Sequence, residues 1–279
     1  MTFSIVASNG SGADAAYGVA VASRFLAVGS VVCAAEPGVG AVATQSFAKW
    51  SFRADCLALL RAGTSATDAV ARVTGADPLR ATRQLGVVGA SGAATFTGAE
   101  CLDWAGGAAG GDATDGWFAI QGNILTGPDV IEAMRRAWLA GSGMPLPHRL
   151  VRALLAGDAA GGDRRGRQGA ALYVVQSGRG YDECGVLADL RVDDHPLAGR
   201  ELARLLELND LYFGAPEGVR PLTGELADEV RERLARLGHT QPDLPAALDH
   251  WAGIENLEMR LSPDGIDAKV LEHLRRATR

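Results

Sequence analysis

Lysine is almost missing from this chain: of its 27 lysines and arginines, only Lys49 and Lys269 are lysine. With alanine and glycine abundant, the shortage reads as a genome composition bias before anything functional. An excess of positive charge is missing as well. A net charge of -6 and a pI near 5.4 leave no basic field for nucleic acid or an anionic membrane, so neither is an expected partner and a small polar substrate fits better. Cysteines are few and dispersed. Cys33, Cys56, Cys101 and Cys184 form no C-x-x-C pair, and no histidine stands at metal-ligand spacing from them, so a structural zinc is not expected. Isolated thiols suit a reducing compartment, with two disulfides left open. No apolar run is long enough to span a bilayer, and no basic segment followed by an apolar core opens the chain, which makes a cytoplasmic location the expectation.

Several chemical signatures are also missing. No G-x-S-x-G elbow occurs, and Gly106-Gly107-Ala108-Ala109-Gly110-Gly111 lacks the Lys-Ser/Thr that would make it a phosphate cradle. Asp193-Asp194-His195 has no second histidine nearby, so neither a metal nor a cofactor is expected.

What is present is an ordinary globular composition: 279 residues, 47% hydrophobic and 22% charged, enough for one large or two unequal domains. Residues 3–7 and 17–22 alternate around a polar, glycine-rich stretch at Asn9 to Asp14 and predict a hairpin. Two further β-rich runs, Ala27 to Ala34 and Val39 to Thr44, follow. Leu57 to Ala62 and Ala66 to Thr74 have helical spacing, with Thr64 or Ser65 as a cap for the second, and Asp77 to Thr82 reads as a short helical turn. Strands are expected at Arg83 to Ala90 and Ala93 to Thr97. The glycine-rich segment Trp104 to Asp115 is expected to be a loop approaching a ligand.

Phe118 to Gly122 resumes the strand pattern. A helix follows Gly127-Pro128-Asp129 with Val130, Ile131, Met134 and Trp138 on its apolar face, and another, His148 to Ala156, stops at Gly157. Strands at Ala170 to Val175 and Val186 to Val192, then a helix from Pro196 to Leu208, complete the first part. Blocks of strands and paired helices in this order predict an α+β, four-layer αββα sandwich. Residues 1–214 form that domain, the Pro- and Gly-rich 215–222 a linker, and 223–279 a small all-α module with helices at Leu226 to Leu237, Leu244 to Ile254 and Ile266 to Ala277.

Four polar features interrupt the apolar pattern. Removal of Met1 would leave Thr2 at the amino terminus, where a free α-amine titrating near neutrality can take the proton from its own hydroxyl as that hydroxyl attacks a carbonyl; the plain alternative is the start of an edge strand. Ser23-Arg24 ends a Val-Ala-Val-Ala strand, and the Arg24 fork either reaches solvent or awaits a carboxylate. Gln121-Gly122-Asn123 offers amide donors for an oxyanion, or an ordinary turn. The loop Gly161-Gly162-Asp163-Arg164-Arg165-Gly166-Arg167-Gln168 carries three arginines and an aspartate directly before a buried strand, as a functional loop or a solvated one.

Thr2-Phe3-Ser4-Ile5-Val6-Ala7, Gly18 to Phe25, Gly38 to Gln45, Gln121-Gly122-Asn123, Ala160 to Gln168 and Leu190 to Pro196 together resemble a bacterial domain-of-unknown-function family (number ten-twenty-eight), in one order over residues 1–214. That family is grouped with the N-terminal-nucleophile hydrolases, so the resemblance implies their αββα sandwich and a metal-independent amidohydrolase acting on a small amide or ureido substrate. By placement it implies Thr2 as nucleophile and base, Asn123 or a neighbouring backbone N–H as oxyanion donor, and Asp163 as a further catalytic residue. Arg24, Gln45, Arg164 and Gln168 would line the substrate site. The tail, with Trp251 to Glu258 and Ile266-Asp267, resembles a peptidoglycan-binding module often appended to this family, which implies wall contact through residues 223–279. Two departures, Ser46 to Arg53 after Gln45 and Cys33-Ala34, leave the substrate itself unspecified. A non-catalytic binding or scaffold protein on the same fold is the alternative, and a homo-oligomer is open.

Overall fold

The computed structural model describes residues 2–12 and 14–279, so the fate of Met1 lies outside the described residues. The chain forms two compact units, one ending at Leu206 and one from Glu207 to Arg279.

In the first unit, β1 (Thr2–Ser8) and β2 (Tyr17–Ser23) form the expected hairpin. A short helix, α1 (Val28–Val32), leads to β3 (Cys33–Glu36) and β4 (Gly40–Ser46). Helices α2 (Phe52–Arg61) and α3 (Ala66–Gly75) precede β5 (Arg83–Gly89) and β6 (Gly92–Thr97). Then come β7 (Trp104–Asp112), β8 (Gly116–Leu125), α4 (Asp129–Leu139), α5 (Leu146–Ala159), β9 (Gly169–Val175), β10 (Val186–Val192) and α6 (Ala198–Phe213), whose residues from Glu207 on belong to the second unit. Two antiparallel sheets result, with strand orders β10-β9-β2-β1-β8-β7 and β3-β4-β5-β6.

Strand alternation builds the layers. Phe3, Ile5 and Ala7 of β1 point away from the second sheet and pack with Val130, Met134, Trp138, Leu150 and Leu154 of α4 and α5. The alternate residue Val6 joins Val19, Val21, Ala41, Ala43, Val88 and Ala119 between the two sheets. Val42, Leu85 and Val87 face outward on the second sheet against Phe52, Cys56, Val70 and Val73 of α2 and α3. The fold is thus an α+β, four-layer αββα sandwich, followed by a small helical unit. All four apolar residues expected on the face of α4 are buried, and Ser65 caps α3, its Oγ accepting from the Asp68 N–H at 3.1 Å.

Four local expectations are corrected. Ala27 to Ala34 is a helix running into a strand, not one β run: Gly29 lets α1 settle onto β9, where an added Cβ would lie 2.4 Å from the Ala171 Cβ. Trp104 to Asp115 is largely the edge strand β7, not a loop. Its glycines permit close packing, since a Cβ on Gly107 would meet the Ile120 carbonyl at 2.6 Å and Thr95 Oγ1 at 2.9 Å. Strand β8 continues past Gly122 to Leu125. Helix α5 runs through Gly157, which is there because α4 passes close, with Met134 Cγ 2.6 Å from where a Cβ would stand.

In the second unit, α7 (Gly224–Arg236), α8 (Leu244–Ile254) and α9 (Ala268–Ala277) enclose their own core around Val230, Leu234, Leu248, Trp251, Val270 and Leu274. Thr223 stands at the start of α7 but makes no side-chain cap. Arg260 is buried and donates to the carbonyls of Asp210, Leu211 and Ala215 and to Asp267 Oδ2 at 3.0 Å. Asp267 in turn caps α9, accepting from the Lys269 and Val270 N–H groups at 2.7 and 3.0 Å. A guanidinium buried this way keeps its charge paired and its donors used.

On the surface of this unit, Arg275 and Arg233 both donate to Glu229, and these hydrogen bonds hold its carboxyl down at about 2 against an ordinary 4.5. A depressed carboxylate pKa stabilises the fold above the ordinary value, and that contribution fades as pH falls through the folded one. Replacing Glu229 by Gln should therefore lower the melting temperature at neutral pH. The gap between the two proteins should close as pH falls from 4.5 to about 2, as followed by circular dichroism.

Candidate active site

At one end of the sandwich the inward strand positions turn from apolar to polar. On β1 the inward series runs Val6, Ser4, Thr2; on β8 it runs Ala119, Gln121, Asn123; on β4 Ala41, Ala43, Gln45; on β5 Val88, Gly86, Gln84. The registers align these residues. Thr2 pairs with Asn123 and Ser4 with Gln121 in the first sheet, while Gln45 pairs with Gln84, and Gln84 with Thr97, in the second. Two rows of polar side chains therefore face each other across the sheet gap.

They interlock. Ser4 Oγ donates to Gln45 Oε1 at 2.6 Å and accepts from Gln121 Nε2 at 2.7 Å. Gln45 Nε2 donates to Gln84 Oε1 at 2.7 Å and to the Thr2 carbonyl at 3.2 Å. Gln84 Nε2 donates to Thr97 Oγ1 at 2.9 Å and to the Gly122 carbonyl at 2.7 Å, while Asn123 Nδ2 donates to Gln84 Oε1 at 2.9 Å. Ser4, Gln45, Gln84, Gln121 and Asn123 are all buried, and a buried amide is tolerated only with partners such as these. Gly86 makes the room: a Cβ there would stand 2.1 Å from Gln121 Oε1.

Thr2 lies at the rim of this layer, 7% exposed, with Oγ1 3.1 Å from Ser23 Oγ. Because β1 lies between β2 and β8, Thr2 is flanked by Ser23 on one side and Asn123 on the other. The strands bearing the amides end abruptly. Ser46, directly after Gln45, and Ile124, directly after Asn123, have φ of 68° and 49°. The left-handed region is costly for a β-branched residue, about 1–3 kcal/mol, so the surrounding contacts must hold Ile124 there.

The arginine-rich loop reaches the same end. Asp163 bridges to Leu125 at the end of β8, and its Oδ2 accepts from the Arg24 backbone N–H at 2.7 Å. Its Oδ1 accepts from the Arg165 N–H at 2.8 Å. Arg24 itself does not use its fork on a carboxylate: its Nη1 donates to the Arg165 carbonyl at 2.7 Å. Arg164 lies 3.5 Å from Asp103, and Arg167 pairs with Asp158 at 2.7 Å. Gln168 is half-buried, its N–H donating to the Ser23 carbonyl and its carbonyl accepting from the His195 N–H.

The fold thus gathers Thr2, Asn123 and Gln45 into one layer and joins Asp163, Arg24 and Gln168 to it through the backbone around Ser23. Arg164 projects outward, exposed. Ser4, Ser23, Gln84 and Gln121 belong with them, and Gln84 was absent from every polar cluster in the sequence. The signal that finds it is a period-two polar tail on the inward face of a strand whose other inward residues are small or apolar. Two thiols are poor rivals as nucleophiles, because burial pushes Cys33 and Cys56 up to about 12.

Comparison with known proteins identifies the family. A model for a family of unknown function, DUF1028, matches residues 2–202, and one described as a putative peptidoglycan binding domain matches residues 212–274. The chain is similar to a protein of that first family from Silicibacter pomeroyi whose crystal structure is known. The two are 31% identical over 82% of this chain and 92% of the other, with a TM-score of 0.64. The chain matches no curated protein.

Replacing Gln84 by Leu strands the Asn123 amide and the Gly122 carbonyl inside the sheet gap. A loss of about 2–4 kcal/mol of stability should follow, read from urea unfolding, because buried polar groups without partners cost about 1–3 kcal/mol each.

Proposed function

Because the chain belongs to the DUF1028 family over residues 2–202, we propose that its sandwich is an N-terminal-nucleophile amidohydrolase with Thr2 as the nucleophile. The observation that carries this reading is the position of the Thr2 hydroxyl: first residue of the central strand β1, at the rim of a buried polar layer, between Ser23 and Asn123. In a mature chain beginning at Thr2, the α-amine is the base. It takes the proton as Oγ1 attacks the carbonyl of a small amide or ureido compound, and the C–N bond breaks to release the amine. Water then hydrolyses the acyl-threonine ester, the α-amine again accepting a proton.

Asn123 has one amide proton committed to Gln84. Its role is to present the remaining N–H, with neighbouring backbone N–H groups, to the oxyanion. Gln45, held by Ser4, Gln84 and the Thr2 carbonyl, fixes the strand that carries the nucleophile. Asp163 orders the Arg24 and Arg165 backbone beside the site, and Arg24 and Gln168 are placed there to meet the substrate's polar groups. No metal or cofactor enters this scheme.

The decisive experiment pairs intact mass with turnover. The purified protein should lack Met1, and Thr2→Ala should lose at least about 100-fold in kcat on a panel of amides and ureido acids, the scale of a general-base contribution. Thr2→Ser should keep measurable activity, and the wild-type rate should rise through about pH 7–8 as the α-amine deprotonates. A retained methionine, or unchanged turnover in Thr2→Ala, would remove Thr2 from the mechanism.

A second reading concerns the helical unit. Its match to a peptidoglycan-binding model favours wall contact by residues 212–274, whether or not the sandwich is catalytic. The full chain should co-sediment with purified peptidoglycan above the level of an acidic control protein of similar size. No enrichment would end that reading and leave a cytoplasmic enzyme as the simpler proposal.

A further inference from the structure

The two sheets differ in width, and the mismatch leaves part of the wider one uncovered. The four-stranded sheet stops at β3, which packs over β2 and β9, while β10 extends the six-stranded sheet by another strand. Ala188, Leu190 and Val192 of β10 face the helical core. The alternate residues Asp189 and Arg191 fall on the inner side, opposite Tyr173 and Ala171 of β9. A cavity of about 400 Å³ opens there, walled by α1, β3, β9, β10 and the Arg53 side chain from α2. That volume suits a small ligand.

Its charge is unbalanced. Arg191 is paired with Asp189 through Nε and Nη2 at 3.1 and 3.2 Å, which leaves its Nη1 group unused among the described residues. Arg53 donates Nη1 to the Ser30 and Cys33 carbonyls at 2.9 and 3.1 Å and packs against the Trp50 ring at 4.2 Å; its Nε and Nη2 groups have no protein acceptor among the described residues. The Tyr173 hydroxyl also has none. Two guanidiniums therefore share the cavity with one carboxylate. Burial lowers the Arg53 pKa, with the neighbouring Arg191 adding to it and Cys33 partly offsetting it. An inward charged pair on an edge strand can serve simply to block edge-to-edge pairing. That accounts for Asp189 and Arg191 but not for Arg53, which arrives from a helix under the other sheet.

We propose that this cavity binds a small oxyanion, the carboxylate or phosphate group of a compact ligand, between the Arg53 and Arg191 guanidiniums. A guanidinium fork matches either group, and an anion there supplies the missing charge and the missing acceptors together. The site lies on β9 and β10, apart from the Thr2 hydroxyl, and does not require the threonine chemistry.

Trp50, stacked on Arg53, is the reporter. The full-length protein is titrated with inorganic phosphate and with succinate at constant ionic strength, following tryptophan emission and calorimetric heat. Saturable binding of at least one probe is expected, and the one that binds tighter identifies the group the site prefers. Arg191→Gln should weaken it at least about 10-fold, the scale of one charge-assisted contact. Asp189→Asn should tighten it, because the competing carboxylate is gone; a purely structural pair would not give opposite signs. Thr2→Ala should bind as the wild type does, which separates this site from the proposed catalytic one. Absence of saturation by either probe up to tens of millimolar would overturn the proposal, as would an Arg191→Gln protein that melts normally and binds unchanged.

Discussion

A layer of buried amides between two sheets is the constraint on which the rest of the sandwich depends. Gln45, Gln84, Gln121 and Asn123 must each find partners across a gap that elsewhere is filled mostly by valines and alanines. Each amide can be satisfied only if both sheets keep one register, because a slip of one residue would carry every one of these side chains to the helical side. The hydrogen bonds thereby specify the relative position of the sheets more sharply than the small aliphatic contacts beyond them. Gly86 and the left-handed backbone at Ser46 and Ile124 are the local concessions that let the layer close beneath Thr2.

The scarcity of lysine acquires a structural aspect once the arginines are placed. Arg149 stacks on Trp138 at 3.7 Å while donating to the Trp138 carbonyl and to Asp115. Arg260 gathers three carbonyls and a carboxylate, and Arg53 joins two carbonyls from α1 and β3. A planar fork with five donors can satisfy several fixed acceptors at once, as an ammonium on a flexible stem cannot. The composition bias is therefore also a supply of rigid cross-links, used in both units.

Much of the fold could be read from spacing. The hairpin of β1 and β2, the buried face of α4, the bounds of β10 and α8, and the Ser65 cap all follow from local pattern, because periodicity and capping are properties of neighbouring residues. The errors share a cause. Gly29 reads locally as ordinary strand, Gly107 as loop and Gly157 as a helix stop, whereas each marks a close approach by an element distant in sequence. A glycine's reason is often on the other side of the contact, where local pattern has no access.

The same division holds for the opening residues. The sequence by itself determined that Thr2 begins a strand, that Asn123 and Gln45 sit near strand ends, and that Asp163 lies in a charged loop before a buried strand. Only the tertiary structure decided that these four ends coincide, that Ser23 lies beside the Thr2 hydroxyl, and that Gln84 is the hub joining Gln45 to Asn123. The physical reason is that alternation fixes which face of a strand a side chain occupies, while strand order and sheet packing, set by contacts among residues far apart in the chain, fix what that face meets.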